Sequence, residues 1–207
     1  MNSIVLEREV KTDPCMDAVE NIESGFIFIA GPTCSGKTTL AYTLKGFYEQ
    51  KDIGVTVISQ EDYYKDWKNI PWSYKGYLTD VRDAFYMDEF VRDFKKYLKD
   101  GKAEIPLFDM QVHKRISKQY IKRTPITIVE GLHVISTFYG MVDALYLYMD
   151  VPIKRCAELR ANRDQKFERM KRDDSIFHFI ECIEPFYDDQ VFPQKDYEGV
   201  LIFTPGS

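Results

Sequence analysis

A chain of 207 residues suits a single domain with at most a small excursion over a ligand. Its 44% hydrophobic content can build a core, while a net charge of −5 and 29% charged residues argue against a general nucleic-acid-binding surface. No apolar run approaches the roughly 18 residues of a membrane span, which argues against a membrane protein.

Residues 1–24 carry Glu7, Arg8, Glu9, Lys11 and Asp13 where a secretory leader needs an apolar core, so the expected location is cytoplasmic. The stretch holds a candidate strand at Ile4-Val5-Leu6 and a turn at Asp13-Pro14. It is read as an N-terminal extension ahead of one domain over 25–207. Cys15, Cys34, Cys156 and Cys182 are scattered without metal-type pairing, as reduced thiols would be.

Phe26-Ile27-Phe28-Ile29-Ala30 is a short apolar run that reads as a buried parallel strand. Gly31-Pro32-Thr33-Cys34-Ser35-Gly36-Lys37-Thr38 follows and fits G-x-x-x-x-G-K-[ST]; Leu40, Leu44 and Phe47 then fall at helical spacing. Strand, glycine-rich turn and helix is the setting a phosphate-binding loop requires. Gly31 and Gly36 let backbone N–H groups converge, and the helix start through Thr39 adds its unpaired N–H groups and partial positive charge. Lys37 would reach the outer phosphates and the Thr38 hydroxyl would hold Mg²⁺. The chain is therefore expected to bind a nucleoside triphosphate.

Val55–Ile58 reads as a second strand ending at Ser59-Gln60-Glu61-Asp62-Tyr63-Tyr64, and carboxylates at strand ends are candidates for chemistry. Residues 65–79 are irregular but aromatic, with Trp67, Trp72, Tyr74 and Tyr77. Asp83 is expected to cap a helix whose apolar face is Met87, Phe90, Val91, Phe94 and Leu98, stopping at Asp100-Gly101. Ile105–Asp109 is extended, and Lys114, Arg115 and Lys118 follow as a basic stretch. Ile126–Val129 is an apolar strand ending in Glu130, Leu145–Asp150 is a further strand, and Pro152 opens a helix that runs into Arg160, Arg163, Lys166, Arg169, Lys171 and Arg172. Another helix is expected over roughly 175–191, and Val200–Phe203 closes as a strand. The alternation predicts a three-layer α/β/α domain of the P-loop NTPase kind with a mainly parallel sheet.

In this order, the pieces Gly31–Thr38, Ser59–Asp66, Asp80-x-x-Asp83, Pro106-x-x-Asp109-x-x-x-His113, Glu130-Gly131 and Arg160-x-x-Arg163-Asp164 resemble the uridine kinase and phosphoribulokinase family. The resemblance runs from about residue 26 to the C-terminus. It implies an ATP-dependent kinase, using Mg²⁺, that phosphorylates the 5′-hydroxyl of a nucleoside such as uridine or cytidine. It also implies a small helical lid at about 160–175. Glu61 stands where the family's catalytic base, usually Asp, approaches the metal, and Asp62 beside it is the alternative. Glu130 stands at the acidic position near Mg²⁺, and Asp80 at the position that grips the ribose hydroxyls. Phe108 and His113 match the pyrimidine-holding positions, the family commonly having Tyr for Phe108 and an aromatic residue at Thr79. Tyr64 could line the acceptor pocket. Arg160, Arg163, Arg169 and Arg172 are implied as lid cations over the triphosphate, with Arg163 stabilising charge in transit and Arg160 also near the acceptor.

Two other readings stay open. The acceptor could be another small alcohol, such as a sugar phosphate, nicotinamide riboside or another vitamin precursor. The protein could instead be a nucleotide-dependent regulator with little turnover, although no Asn-Lys-x-Asp for guanine is present. Family members also make a homo-oligomer an option.

Overall fold

In a computed structural model of the chain, residues 14–167 and 169–205 are described. The candidate strand at Ile4-Val5-Leu6 lies outside them. Pro14–Val19 is a short helix, α1, and β1 (Gly25–Ala30) follows. Val19 is fully buried and its carbonyl accepts the Tyr48 hydroxyl at 3.1 Å, so the chain is packed into the domain before Gly25.

The sheet is built from β1, β2 (Val55–Ser59), β7 (Ile126–Glu130), β8 (Ala144–Met149) and β9 (Val200–Phe203), all parallel, in the order β2-β7-β1-β8-β9. Alternation along β1 sends Phe26, Phe28 and Ala30 to one face and Ile27 and Ile29 to the other. Both faces are covered, which is why β1 and β7 read as largely apolar runs, the buried Thr127 of β7 being paired with the Tyr97 hydroxyl at 2.9 Å. On one side α2 (Lys37–Glu49) seats Ala41, Leu44 and Tyr48 against Ile27, Ile29, Ile126 and Ile128. Opposite, α3 (Met87–Asp100) and α4 (Val134–Phe138) pack on Phe28, whose ring stacks on Tyr146 and meets Phe94 and Phe138. Each fully buried ring of this kind contributes about 2 kcal/mol of transfer free energy as an upper figure. The three-layer α/β/α architecture is the one expected from the alternation of elements.

Several local expectations change. Asp83 does not cap α3: it lies in a 3-10 turn over Arg82–Ala84, and Tyr86 holds the cap position without a side-chain bond. Phe85 is extended and bridged to Tyr64, which delays helix formation until Met87. Gly101 ends α3 with φ 66°, in the left-handed form glycine tolerates. Between Trp72–Ser73 (β3) and Gly76–Tyr77 (β4) the aromatic stretch makes a small hairpin. The extended piece at 105–109 belongs to β5 (Lys102–Asp109), which pairs antiparallel with β6 (Lys114–Lys122) outside the main sheet. The sequence hides β6 because most of the strand faces solvent, Ile116 and Tyr120 included, and only Ile121 is buried, so no period-2 apolar pattern marks it.

The basic run is not one helix. Helix α5 (Ile153–Lys166) ends first, and α6 (Arg172–Cys182) starts after a turn. The helix expected to reach about 191 stops at Cys182, because Pro185 lacks an N–H and restricts the residue before it. A 3-10 turn over Glu184–Phe186, the single-turn α7 (Tyr187–Gln190) and a second 3-10 turn over Phe192–Asp196 complete the path to β9. Helices α5 and α6 pack on each other, and Arg160 and Arg163 of α5 with Asp174, Phe177 and His178 of α6 line the cavity that also reaches Thr33 of the phosphate loop.

Candidate active site

Parallel register brings the chemistry together. Glu130 is level with Ile29 on β1 and with Ser59 on β2, so the phosphate loop, Glu61 and Glu130 emerge at one edge of the sheet. The loop from Gly31 to Gly36 adopts positive φ at Gly31 (143°), Cys34 (56°) and Gly36 (95°). A Cβ on Gly31 would lie 2.7 Å from the Met149 carbonyl oxygen and 2.9 Å from Met149 Cβ. Gly31→Ala is therefore expected to lower the melting midpoint by several degrees and to weaken nucleotide binding, read by thermal unfolding and ATP titration. A wild-type melt and affinity would show that the loop can shift away from β8.

Lys37 is buried and donates to the Pro32 carbonyl at 2.7 Å, which holds the ammonium inside the loop. Ser35 Oγ is buried there without a hydrogen-bond partner. Thr38 and Thr39 are exposed at the start of α2, where backbone N–H groups are unpaired. Thr38 Oγ1 donates to Glu130 Oε2 at 3.3 Å, and Ser59 Oγ donates to Glu130 Oε1. Burial, then the nearby charge of Glu61, pushes the Glu130 carboxyl up to about 7, against the pull of Lys37 and the two hydroxyls. A carboxylate and two hydroxyls are hard oxygen donors, the set that suits Mg²⁺.

Glu61 sits in a 3-10 turn (Gln60–Tyr63) opened by Ser59, whose hydroxyl accepts the Glu61 N–H at 3.2 Å. The Glu61 side chain is exposed and faces a cavity of about 470 Å³. Asp62 goes elsewhere: it accepts from Phe108 N at 3.1 Å and Gln119 Nε2 at 3.2 Å, which clips the β5–β6 hairpin to the end of β2. Burial pushes the Asp62 carboxyl up to about 6. Of the two candidate bases, Glu61 lines the cavity and Asp62 supports its wall.

Tyr64, Asp80, Phe108 and His113 line that cavity, as do Thr33 of the phosphate loop and Arg160, Arg163 and Arg169 of the basic run. Tyr64 stacks on Phe85 at 4.1 Å and is tilted against Phe108 at 5.6 Å. Trp67 lies between Tyr77 and His113, with ring centroids 4.1 and 4.7 Å away. His113 has φ 50° in the turn between β5 and β6, and burial with the charge of Arg169 lowers its pKa. Its imidazole is thus neutral near pH 7, able to donate and accept. Arg172 is set apart, beside a shallow basic depression with Gln165, Arg169 and Lys171.

Asp80 is buried and both of its carboxylate oxygens are engaged, three hydrogen bonds occupying three of about four acceptor positions. Oδ1 takes Arg160 Nη1 at 3.1 Å and Thr79 Oγ1 at 2.9 Å; Oδ2 takes the Tyr187 hydroxyl at 2.7 Å. Burial raises its pKa, but the Arg160 guanidinium and the two hydroxyl bonds outweigh that and hold it below the usual carboxylate range. Arg160 also faces Asp164, at 3.6 Å, and Asp164 accepts the Ser175 hydroxyl of α6. Ser59, Thr79, Asp164 and Tyr187 carried no assigned role in the sequence. Ser59 could have been found from its place two residues before Glu61, whereas Tyr187, between Phe186 and Asp188-Asp189, carries no local signal of its distant partners.

A Walker-type loop, an acidic residue at the neighbouring strand end and a cavity of about 470 Å³ lined by Glu61, Arg160, Arg163 and Arg169 define a P-loop phosphotransferase. The profile of the Phosphoribulokinase / Uridine kinase family matches residues 26–204, and the chain belongs to that family. It is accordingly an ATP-dependent kinase. A uridine kinase of Staphylococcus aureus (strain JH9) is 30% identical over 186 residues, covering 87% of this chain and 88% of that protein. In fold, the chain is similar to a possible uridine kinase from Bacillus stearothermophilus, with TM-score 0.62, 18% identity, and 90% and 95% of the two chains covered. It is also similar to a D-glycerate 3-kinase from Cryptococcus neoformans, with TM-score 0.59, 14% identity, and 86% and 84% covered.

Proposed function

We propose that the chain transfers the γ-phosphoryl group of ATP to the 5′-hydroxyl of a nucleoside, with uridine and cytidine as the favoured acceptors. The observation that carries this reading is that Glu61 opens onto the same cavity as Asp80, Phe108 and His113, two residues beyond Ser59, which holds Glu130. Phosphoryl transfer asks a protein mainly for positioning and charge neutralisation. Lys37 and the loop N–H groups would hold the phosphates, and Glu61 would accept the proton of the attacking hydroxyl. Asp80 would accept hydrogen bonds from ribose hydroxyls, and His113 with Phe108 would address the base. Arg163 and Arg169 would face the charge in transit. Thr38, Ser59 and Glu130 have the donor chemistry to hold Mg²⁺, with Glu61 adjacent; the ion, when bound, would screen phosphate charge.

The charge balance of the cavity favours a neutral acceptor over a sugar phosphate. The lining holds four basic side chains, Lys75, Arg160, Arg163 and Arg169, against four carboxylates, Glu61, Asp80, Asp164 and Asp174, with Arg160 paired to Asp80 and Asp164 and Arg163 to Asp164, so it offers no net positive charge to an acceptor phosphate. A second reading, a different small alcohol, draws on Thr79, which bonds Asp80 rather than offering a ring for the base. Mg·ATP-dependent ADP formation against uridine, cytidine, other nucleosides, nicotinamide riboside, pantothenate, glycerate and ribulose phosphate separates the two. Strongest stimulation by uridine or cytidine is expected; strongest stimulation by a phosphorylated or non-nucleoside acceptor would replace the substrate assignment.

A further inference from the structure

We propose that Tyr187 is a positioning residue that ties the phosphate loop to the acceptor carboxylate Asp80, so that nucleotide and acceptor sites share one hydrogen-bond chain. The chain has a definite direction. A tyrosine hydroxyl has one proton, and at Tyr187 it goes to Asp80 Oδ2, 2.7 Å away. The same oxygen accepts the backbone N–H of Thr33 at 3.0 Å. Three segments distant in sequence are thereby joined: the loop after β1, the turn before α3, and α7.

The hydroxyl is held in place from behind. Tyr187 is fully buried, and its ring meets Phe179 edge-on at 6.0 Å and Phe192 at 5.6 Å. Burial and the Asp80 charge keep the phenol far above its ordinary pKa, so it remains a donor at any working pH. At the other end Arg160 and Thr79 occupy Asp80 Oδ1. With both oxygens engaged, the plane of the carboxylate is fixed, and Thr33 and Asp80 are presented to the same cavity.

Consecutive loop residues are held by different partners, Pro32 by Lys37 and Thr33 by Tyr187. A phosphate that draws the Lys37 ammonium away from Pro32 leaves the Thr33 bond as the tie between the loop and Asp80. Loss of the hydroxyl would therefore be felt at both sites, whereas a role in packing alone would move only stability. The acceptor half of this inference rests on the nucleoside reading, since it takes Asp80 as the group that holds the acceptor; the nucleotide half does not.

Tyr187→Phe keeps the ring and removes the hydroxyl. Calorimetric titration with the β,γ-imido analogue of ATP and Mg²⁺ needs no acceptor, and roughly 3- to 10-fold weaker binding is expected, the scale of one buried hydrogen bond. With the acceptor that the panel identifies, KM for it should rise about tenfold while kcat changes less than about threefold. In an Asp80→Asn background the same substitution should add little to the acceptor KM, the mark of a residue acting through Asp80. Unchanged analogue affinity together with an unchanged acceptor KM overturns the proposal, as does full additivity with Asp80→Asn. If no acceptor on the panel is turned over, the nucleoside reading fails and the calorimetric result alone decides for or against Tyr187. Should Tyr187→Phe prove unfolded by its melting curve, Asp80→Asn carries the titration: a loss of analogue affinity of about twofold or more supports the link, and none overturns it.

Discussion

Glu61→Gln is expected to lower turnover by about 100-fold or more while leaving ATP affinity within roughly threefold of wild type. The reasoning is geometric. Glu61 is exposed to the cavity from a short turn that is capped by Ser59, and Ser59 in turn donates to the buried Glu130. Gln keeps the length and the packing of Glu61 but cannot take a proton. It also removes the negative charge that helps to raise the Glu130 carboxyl, so Glu130 in the variant should ionise at lower pH. Steady-state rates with the best acceptor, set beside calorimetric ATP binding, separate a lost base from a lost ligand. Turnover within about fivefold of wild type would remove Glu61 from proton transfer. The matching Asp62→Asn variant should act differently: Asp62 holds Phe108 and Gln119, so its loss should loosen the hairpin and raise the acceptor KM more than it lowers kcat.

This division between Glu61 and Asp62 shows where the sequence stops being legible. Both are carboxylates at the end of one strand, and nothing in their spacing says which faces the ligand. The answer lies in β6, a mostly exposed strand with three lysines and no regular apolar alternation, whose pairing with β5 brings Phe108 and Gln119 to Asp62. The parallel sheet was legible because strands buried on both faces are largely apolar, and the loop because its glycines and lysine are dictated by local backbone geometry. Long-range polar partners leave no such trace. Tyr187 lies 154 residues from Thr33 and 107 from Asp80, and only the folded sheet puts its hydroxyl between them. The same is true of the basic run, which reads as one helix although Arg160 is buried on Asp80 and Arg172 begins a separate helix.

Lys37→Ala is expected to weaken ATP binding and to lower kcat/KM by about 100- to 1000-fold, the scale of losing a preorganised donor to developing charge. Lys37 is buried with its ammonium on the Pro32 carbonyl, so alanine leaves that oxygen only the longer bond from Ser35 N–H, at 3.3 Å, and leaves the phosphates without their cation. A second effect follows from Glu130. Burial and Glu61 raise its carboxyl from 4.5 to about 7, and Lys37 is the largest influence pulling it down. Without Lys37 the carboxyl ionises at higher pH, so the acid limb of the rate profile should move upward in the variant. The sign for stability follows from the same shift. In the metal-free protein the raised carboxyl favours its neutral form, so its contribution is complete below about pH 4.5 and is lost as pH rises through about 7. Mg²⁺ with nucleotide compensates the ionised carboxylate and should therefore raise the melting midpoint more at pH 8 than at pH 6. Paired pH–rate and pH–melting series on wild type and Lys37→Ala test both consequences. An unshifted acid limb would detach Glu130 from the rate, and unchanged ATP affinity would detach Lys37 from the phosphates.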